Sequence, residues 1–320
     1  MTPVGCPMAD LKSRIVSSGF RGELRLGEPM ANRTTFKIGG PADVFAVPAD
    51  EANLAVLARE AHEAGLPVLV VGDGSNLLVR DGGIRGVVVS LARFDGIEPL
   101  SPRGAFRVGA GVKYQKLAYR MAEEGFAGLE FAVRIPGTVG GALVMNAGTP
   151  EGELKDVLLA AAFIFPDGSR RILLKEDLGL GYRSSRLPAG GIATTIDVLL
   201  SKGDPDEIRG RMNWLASERR SKQPQGVPNA GSIYKNPPGD FAGRLIEAAG
   251  FKGRRAGGAE VSSVHANFIV NAGGARAADV LALMDAIERT AAERFGVRLE
   301  REIRVVGEDV SPESRVRSSE

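Results

Sequence analysis

Two spacings of apolar residues alternate along this chain. DVFAVP (43–48) is a short, nearly continuous apolar run and reads as a strand. Asp50 stands where an N-cap is needed. Leu54, Leu57, Ala58 and Ala61 then recur at helical spacing until Gly65 and Pro67 stop the pattern. LPVLVVG and GVVVSL predict the next two strands. FRVGAG predicts another, and residues 113–124 a helix with Leu117, Met121 and Ala122 on one face and Gly125 as its stop. VLLAAAFIF, RRILL and GIATTIDVLL are strand-like, so this stretch is expected to be β-rich. Residues 205–219 suit a helix that Pro224 cannot continue. AGRLIEAAG (242–250) predicts a short helix and VHANFIVN (264–271) a strand. Residues 276–295 predict a long amphipathic helix bearing Val280, Leu281, Met284 and Ile287, and LEREIRVVG a closing strand. Strands and helices joined by short connections argue for an α/β layer at the start of the chain.

These elements suggest consecutive units: a leader at 1–31, subdomains at 32–94 and 95–203, a third unit at 204–308, and a polar tail at 309–320 expected to be disordered. A length of 320 residues allows two or three domains, and 43% hydrophobic with 25% charged residues is ordinary for a soluble globular protein. A net charge of +2 without a basic, aromatic-interleaved stripe gives no reason to expect a nucleic-acid partner. The longest apolar run, Val157 to Phe165, is too short to span a bilayer, and MTPVGCPMADLKSR lacks the apolar core of a signal peptide. Cys6 is the only cysteine and has no partner for an internal disulfide. A cytoplasmic monomer without a membrane partner is therefore expected. There is no CxxC, and His62 and His265 lie far apart, so no metal site is expected.

Two glycine-rich stretches carry candidate chemistry. GDGSN comprises Gly72, Asp73, Gly74, Ser75 and Asn76, with Leu77 opening the strand that follows. Glycines let the backbone approach a ligand closely, and successive N–H groups in such a turn can form an anion nest without a helix. The plainer reading is a tight strand–strand turn. RIPGTVGGALVMNAG (134–148) holds Pro136, Gly137, Gly140, Gly141, Asn146, Ala147 and Gly148, with Arg134 as its only charged residue. Such a stretch suits a flat, partly apolar ligand with a phosphate group, or a loop buried between domains. Neither stretch has the GxGxxG spacing, and ALVMN reads as a strand, which disfavours a Rossmann domain.

NRTTFKIGGPAD, VVGDGSNLLV, LEFAVRIPGTVGGALVMNAG, GYRSSRL, NAGSIYKNP, AGRLIEAAG and VSSVHANFIVN occur in this order. From about Asn32 to Glu308 the chain thereby resembles the UDP-N-acetylenolpyruvoylglucosamine reductase (MurB) family. The resemblance implies an α+β fold: a two-part FAD-binding domain of the vanillyl-alcohol-oxidase (PCMH) type and a C-terminal α/β substrate-binding domain. It implies FAD, with its pyrophosphate gripped at Gly72–Leu77 and its flavin lined by 134–148; NADPH as reductant; and a UDP-sugar enolpyruvyl ether as substrate. The glycine loops contain neither His nor Cys, so the FAD is expected to be non-covalent.

The resemblance also assigns roles. Ser232 matches the proton donor, Arg183 the arginine that stabilises the developing enolate, and Glu302 a glutamate facing the substrate carboxylate. A carboxylate beside another carboxylate is expected to have a raised pKa. Residue type alone reads the three as a turn serine, a surface arginine and a solvated strand edge. Lys222 matches a lysine near the substrate diphosphate, where Arg219 and Arg220 add positive charge; a charged loop end is the alternative. Tyr234 and Asn236 fall where the family contacts substrate, and in a strand they would share a face with Ser232 while Lys235 points away. His265 reads as an interior histidine and His62 as an exposed one. Gly191 to Asn229 is short and lacks tyrosine, which suggests the subclass without a substrate-covering tyrosine loop. Two other readings are a different FAD oxidoreductase of this fold and a nucleotide-sugar binding protein without turnover.

Overall fold

The computed structural model describes residues 7–310, so Cys6 and nearly all of the expected tail lie outside the described residues. The chain divides into two compact units. One runs up to Leu26 and takes in Val44–Gly72 and Gly86–Arg219; the other takes Gly27–Asp43, Asp73–Arg85 and the chain from Arg220 onward. This differs from the consecutive division expected above. The reason is long-range pairing: strand Leu77–Val79 forms a parallel ladder with Arg304–Val306, near the other end of the chain. Periodicity reveals that a strand exists but not its distant partner.

A four-stranded sheet has the order Gly22–Pro29, Pro41–Pro48, Ile84–Ser90, Val68–Val71, the last two parallel; of these, only Val68–Val71 lies wholly in the first unit. Helix Glu51–Glu63 connects the second of these strands to Val68–Val71 and forms as expected. Asp50 caps it by accepting from the Asn53 N–H, and Leu54, Leu57, Ala58 and Ala61 are buried. Helix Pro7–Ser17, within the expected leader, adds Leu11 and Ile15 to the same core. A five-stranded antiparallel sheet follows, ordered Arg170–Leu174, Leu158–Ile164, Ile192–Leu199, Ala105–Gly109, Ile97–Ser101. Helix Tyr114–Glu123 buries Leu117, Met121 and Ala122.

One expected strand is a helix and another is shorter than expected. ALVMN lies in helix Val139–Met145. Thr138 caps its start by accepting from the Gly141 N–H, and left-handed Asn146 ends it. Seven residues are too few for periodicity to separate the two states. In 264–271 only Ile269–Asn271 is a strand. Before it the Ser262 hydroxyl accepts from the N–H groups of Val264 (3.1 Å) and His265 (3.4 Å), which bends the backbone away from a ladder.

The second unit packs helices Ala242–Ala248 and Ala277–Phe295 with a small antiparallel sheet of Arg255–Ala256, Ala259–Val261 and Ile269–Asn271. Val280, Met284 and Ile287 enter its core with Phe36, Ile38, Leu78 and Tyr234. No helix among the described residues is long and apolar enough to cross a membrane. Asp81 ties the 73–85 segment to the long helix: its carboxylate accepts from the N–H groups of Ala277 (2.8 Å) and Ala278 (3.0 Å). Asp81→Ala should therefore cost about 1–2 kcal/mol of stability, with Asp81→Asn intermediate. Chemical denaturation measures this, and an unchanged midpoint in Asp81→Ala would contradict it.

Candidate functional site

The GDGSN loop crosses the division, with Gly72 in the first unit and Asp73–Asn76 in the second. In the first unit, a Cβ on exposed Gly72 would stand 2.5 Å from the Thr138 Oγ1, so only glycine fits there. Exposed Gly141 also lies beside Thr138, and a Cβ there would meet only the same oxygen, at 3.6 Å. The two glycines and the buried Thr138 make a ledge of bare backbone. The N–H groups of Val139 and Gly140 donate to Val112 (2.8 Å) and Ala110 (2.8 Å) carbonyls, and that of Gly141 to Thr138 Oγ1 (3.3 Å). These amides hold the ledge in shape; what they offer a ligand is close approach. Thr138 was not singled out from the sequence, although threonine is a favoured N-cap residue.

Asn146 and Gly148, both expected as cofactor contacts, also bond within the protein. Asn146 is fully buried at φ 40°, and its side-chain amide is consumed internally. Its Nδ2 donates to Glu153 Oε2 (2.7 Å) and the Gly181 carbonyl (3.0 Å), while its Oδ1 accepts from the Lys155 N–H (2.9 Å). A Cβ on Gly148 would strike the Gly152 carbonyl at 2.4 Å, and its own carbonyl accepts from Arg183 Nη2 at 2.7 Å. Both residues fix the position of Arg183. Pro136 and Gly137 precede the ledge and Ala147 lies between Asn146 and Gly148 in the same unit.

Arg183 sits at the tip of a tight turn closed by Gly181 N–H to Ser184 O (3.0 Å) and Ser184 N–H to Gly181 O (3.3 Å). Its φ of 50° is one of three positive values at non-glycine residues among the described ones. That conformation costs an arginine about 1–2 kcal/mol. Such strain persists where surroundings over-determine it, commonly at functional positions. Arg219, on helix Pro205–Lys222, has a buried Nη1 with no hydrogen-bond partner among the described residues. Burial depresses its pKa first, then the neighbouring guanidinium groups of Arg134 and Arg183.

In the second unit hydrogen bonds link Asn76 to Glu302 and Glu302 to Ile233, the chain neighbour of Ser232. Asn76 Nδ2 donates to the Glu302 carbonyl (3.1 Å), and the Asn76 carbonyl accepts from Arg304 N–H (3.0 Å). The Glu302 N–H in turn donates to the carbonyl of Ile233, beside half-buried Ser232 (2.8 Å). Thr35 Oγ1 steadies this loop by donating to the Asn229 carbonyl (2.7 Å), whose own side chain accepts from Gly231 N–H (3.0 Å). Buried Gly74, at φ 61°, is required because a Cβ would stand 2.5 Å from the Arg33 carbonyl. Asp73 and Ser75 are half-buried beside it, and Leu77 is buried.

The common lining of Ser232, Tyr234 and Asn236 does not form. Tyr234 is buried in the core and donates its hydroxyl to the Met284 carbonyl (3.0 Å); burial holds its pKa well above the usual phenol value. Asn236 is exposed and its Oδ1 accepts from Ala242 N–H at the start of a helix (3.1 Å). The alternation failed because the segment makes only an isolated bridge at Tyr234–Arg301, not a regular strand. Lys235 pairs with Glu300 at 2.6 Å, and Lys222 is exposed at the end of its helix. His265 is half-buried; burial lowers its pKa, and its Nδ1 accepts from the Asn267 N–H (3.2 Å), as a neutral ring would. His62 is exposed.

Comparison with known proteins decides the family. A model of the UDP-N-acetylenolpyruvoylglucosamine reductase C-terminal domain matches residues 223–306, and one of an FAD binding domain matches 42–173. The chain is 47% identical to the UDP-N-acetylenolpyruvoylglucosamine reductase of Geotalea uraniireducens over 94% of its own length and 99% of that protein. It is 46% identical to the same-named protein of Geobacter metallireducens over 91% and 96%. This chain belongs to the UDP-N-acetylenolpyruvoylglucosamine reductase family. The crystal structure of the MurB reductase from Thermus caldophilus superposes with a TM-score of 0.76 at 39% identity, covering 90% of this chain and all of that one.

Within this reductase family frame, the FAD-binding match contains Gly72–Leu77 and 134–148, and the C-terminal match contains Ser232 and Glu302. Arg183, Arg219 and Lys222 fall between the two matches. The residues fit a flat cofactor: the glycine ledge around Thr138 is open where any side chain would obstruct it. Arg183→Gly relieves the left-handed strain while losing the bond to Gly148, so its stability should stay within about 1 kcal/mol of the parent. Thermal unfolding checks this; a much larger loss would mean that the arginine serves the fold.

Proposed function

We propose that this chain catalyses the NADPH-dependent, FAD-mediated reduction of UDP-N-acetylglucosamine enolpyruvate to UDP-N-acetylmuramate, a step in peptidoglycan precursor synthesis. Carrying this reading is the match to the Geotalea reductase over nearly the full length of both chains, which puts both matched domains in one polypeptide. When bound, FAD supplies hydride transfer from NADPH to the terminal alkene carbon of the enolpyruvyl group.

The protein's share is electrostatics and proton delivery. Charge develops on the enolpyruvyl carboxylate as the alkene is reduced, and Arg183 meets it with a guanidinium fork already fixed by Gly148 and the turn at Gly181–Ser184. Ser232 gives a proton to the adjacent carbon. Glu302, fixed at its backbone by Asn76 and Ile233, hydrogen-bonds the enolic group. Lys222 attracts the substrate diphosphate. Gly72, Thr138 and Gly141 support the non-covalently held cofactor. Strand Ile192–Leu199 and helix Pro205–Lys222 together take up most of the span Gly191–Asn229, in keeping with the subclass without a tyrosine loop. We place the reaction in the cytoplasm, on a monomer.

The purified protein should be yellow, release its flavin on acid precipitation, and oxidise NADPH only with the enolpyruvyl substrate present. A colourless protein, or NADPH oxidation indifferent to that substrate, would overturn the reading. Gly72→Ala should impair flavin retention, and adding Thr138→Ala should recover part of it by removing the oxygen a Cβ would strike. Glu302→Gln should keep some turnover and Glu302→Ala little; equal, near-normal rates would remove Glu302 from the mechanism.

A further inference from the structure

Two tethers hold Arg183, and both lead to Glu153. Gly148, whose carbonyl accepts from Arg183 Nη2 (2.7 Å), lies directly opposite Glu153 in a short antiparallel hairpin of Gly148–Thr149 with Gly152–Glu153. The approach is close: a Cβ on Gly148 would stand 2.6 Å from the Glu153 Cα and 2.8 Å from its Cγ. Asn146 donates to the Gly181 carbonyl, at the start of the Arg183 turn (3.0 Å), and gives its other amide proton to Glu153 Oε2 (2.7 Å). Asn146 Oδ1 is taken by the Lys155 N–H (2.9 Å), so both Nδ2 protons need acceptors. An ionised carboxylate offers acceptors only and so fixes which way round this buried amide sits. The fold asks less of the same side chain. The turn Leu154–Val157 is entered through the Glu153 N–H, which donates to Asp156 Oδ2 (2.8 Å), and the hairpin pairs through the backbone. Neither uses the carboxylate. Its ion pair with Lys155 (2.7 Å) joins a lysine side chain that is 39% exposed and can turn to water.

We propose that Glu153 is a positioning residue for the reduction. Its carboxylate locks the Asn146 amide, Asn146 locks the Gly181–Ser184 turn, and the turn keeps the Arg183 guanidinium on the Gly148 carbonyl, ready for the substrate carboxylate. Without the carboxylate, Asn146 loses one of its two acceptors, the turn shifts, and Arg183 leaves Gly148. This rests on the function proposed above, which gives Arg183 its role. Glu153 itself was not singled out from the sequence; its place opposite Gly148 and against Asn146 is a matter of the fold.

The test is a double-mutant cycle on the flavin-loaded protein: parent, Glu153→Ala, Arg183→Met and the pair. Stopped-flow absorbance follows flavin reduction by NADPH and flavin reoxidation by the enolpyruvyl substrate as separate steps. Glu153→Ala should slow reoxidation at least about tenfold, as for a misplaced catalytic group, and leave reduction by NADPH unchanged. It should slow reoxidation no further once Arg183 is already Met, because the two residues act as one unit. Glu153→Gln keeps an acceptor and should recover most of the rate. Crystal structures of the flavin-loaded parent and Glu153→Ala should show Arg183 Nη2 on the Gly148 carbonyl in the first and displaced in the second. If Glu153→Ala slows both steps alike, slows reoxidation equally with and without Arg183, or leaves the guanidinium in place, Glu153 serves the fold alone and the proposal fails. Should Glu153→Ala not fold, Glu153→Met, which fills the space without an acceptor, takes its place; failure of both to fold assigns the carboxylate to the fold and overturns the proposal. Should the parent itself not turn over, the function proposed above fails, while the position of Arg183 in the two crystals still decides whether Glu153 sets it.

Discussion

The placement of the catalytic candidates in the second unit depends on one link. Strand Leu77–Val79 leaves the glycine loop and pairs in parallel with Arg304–Val306, and Asn76 extends that ladder by bonding at its backbone to Arg304 and at its side chain to Glu302. The next bond, from Glu302 N–H to the Ile233 carbonyl, reaches the neighbour of Ser232. A loop that the family associates with cofactor binding is thus held in register with the proposed proton donor and acid. Register in a ladder is all-or-none, since a slip of one residue turns side chains to the opposite face.

The first unit uses a different device. Arg183 is carried on a turn whose backbone favours glycine, and buried Asn146 clamps that turn through Gly181 while Gly148 receives the guanidinium. The arginine's rotational freedom is given up during folding, which would spare that loss in the proposed pairing with the substrate carboxylate.

Local signals in the sequence identified most long elements. Asp50 with its helix, and the 276–295 periodicity, correspond to helices Glu51–Glu63 and Ala277–Phe295. Short elements bracketed by side-chain caps were misread, as at Thr138–Asn146, because seven residues carry no decisive period. Tyr234 was misplaced by assuming strand alternation in a segment with an isolated bridge only. Asn146 and Asn76 lie in recognisable motifs, but that their amides bond protein carbonyls depends on residues far along the chain, which spacing does not encode. The two-unit division was hidden for the same reason.

Asn76 therefore affords the most direct test of the account: steady-state turnover of Asn76→Ala at saturating FAD. If its amide serves to hold Glu302, flavin affinity should be nearly that of the parent while kcat falls at least about tenfold, since small misplacements of catalytic groups carry penalties of that order. Normal kcat once flavin is saturating, with the defect confined to flavin affinity, would contradict the link between the glycine loop and the catalytic strand.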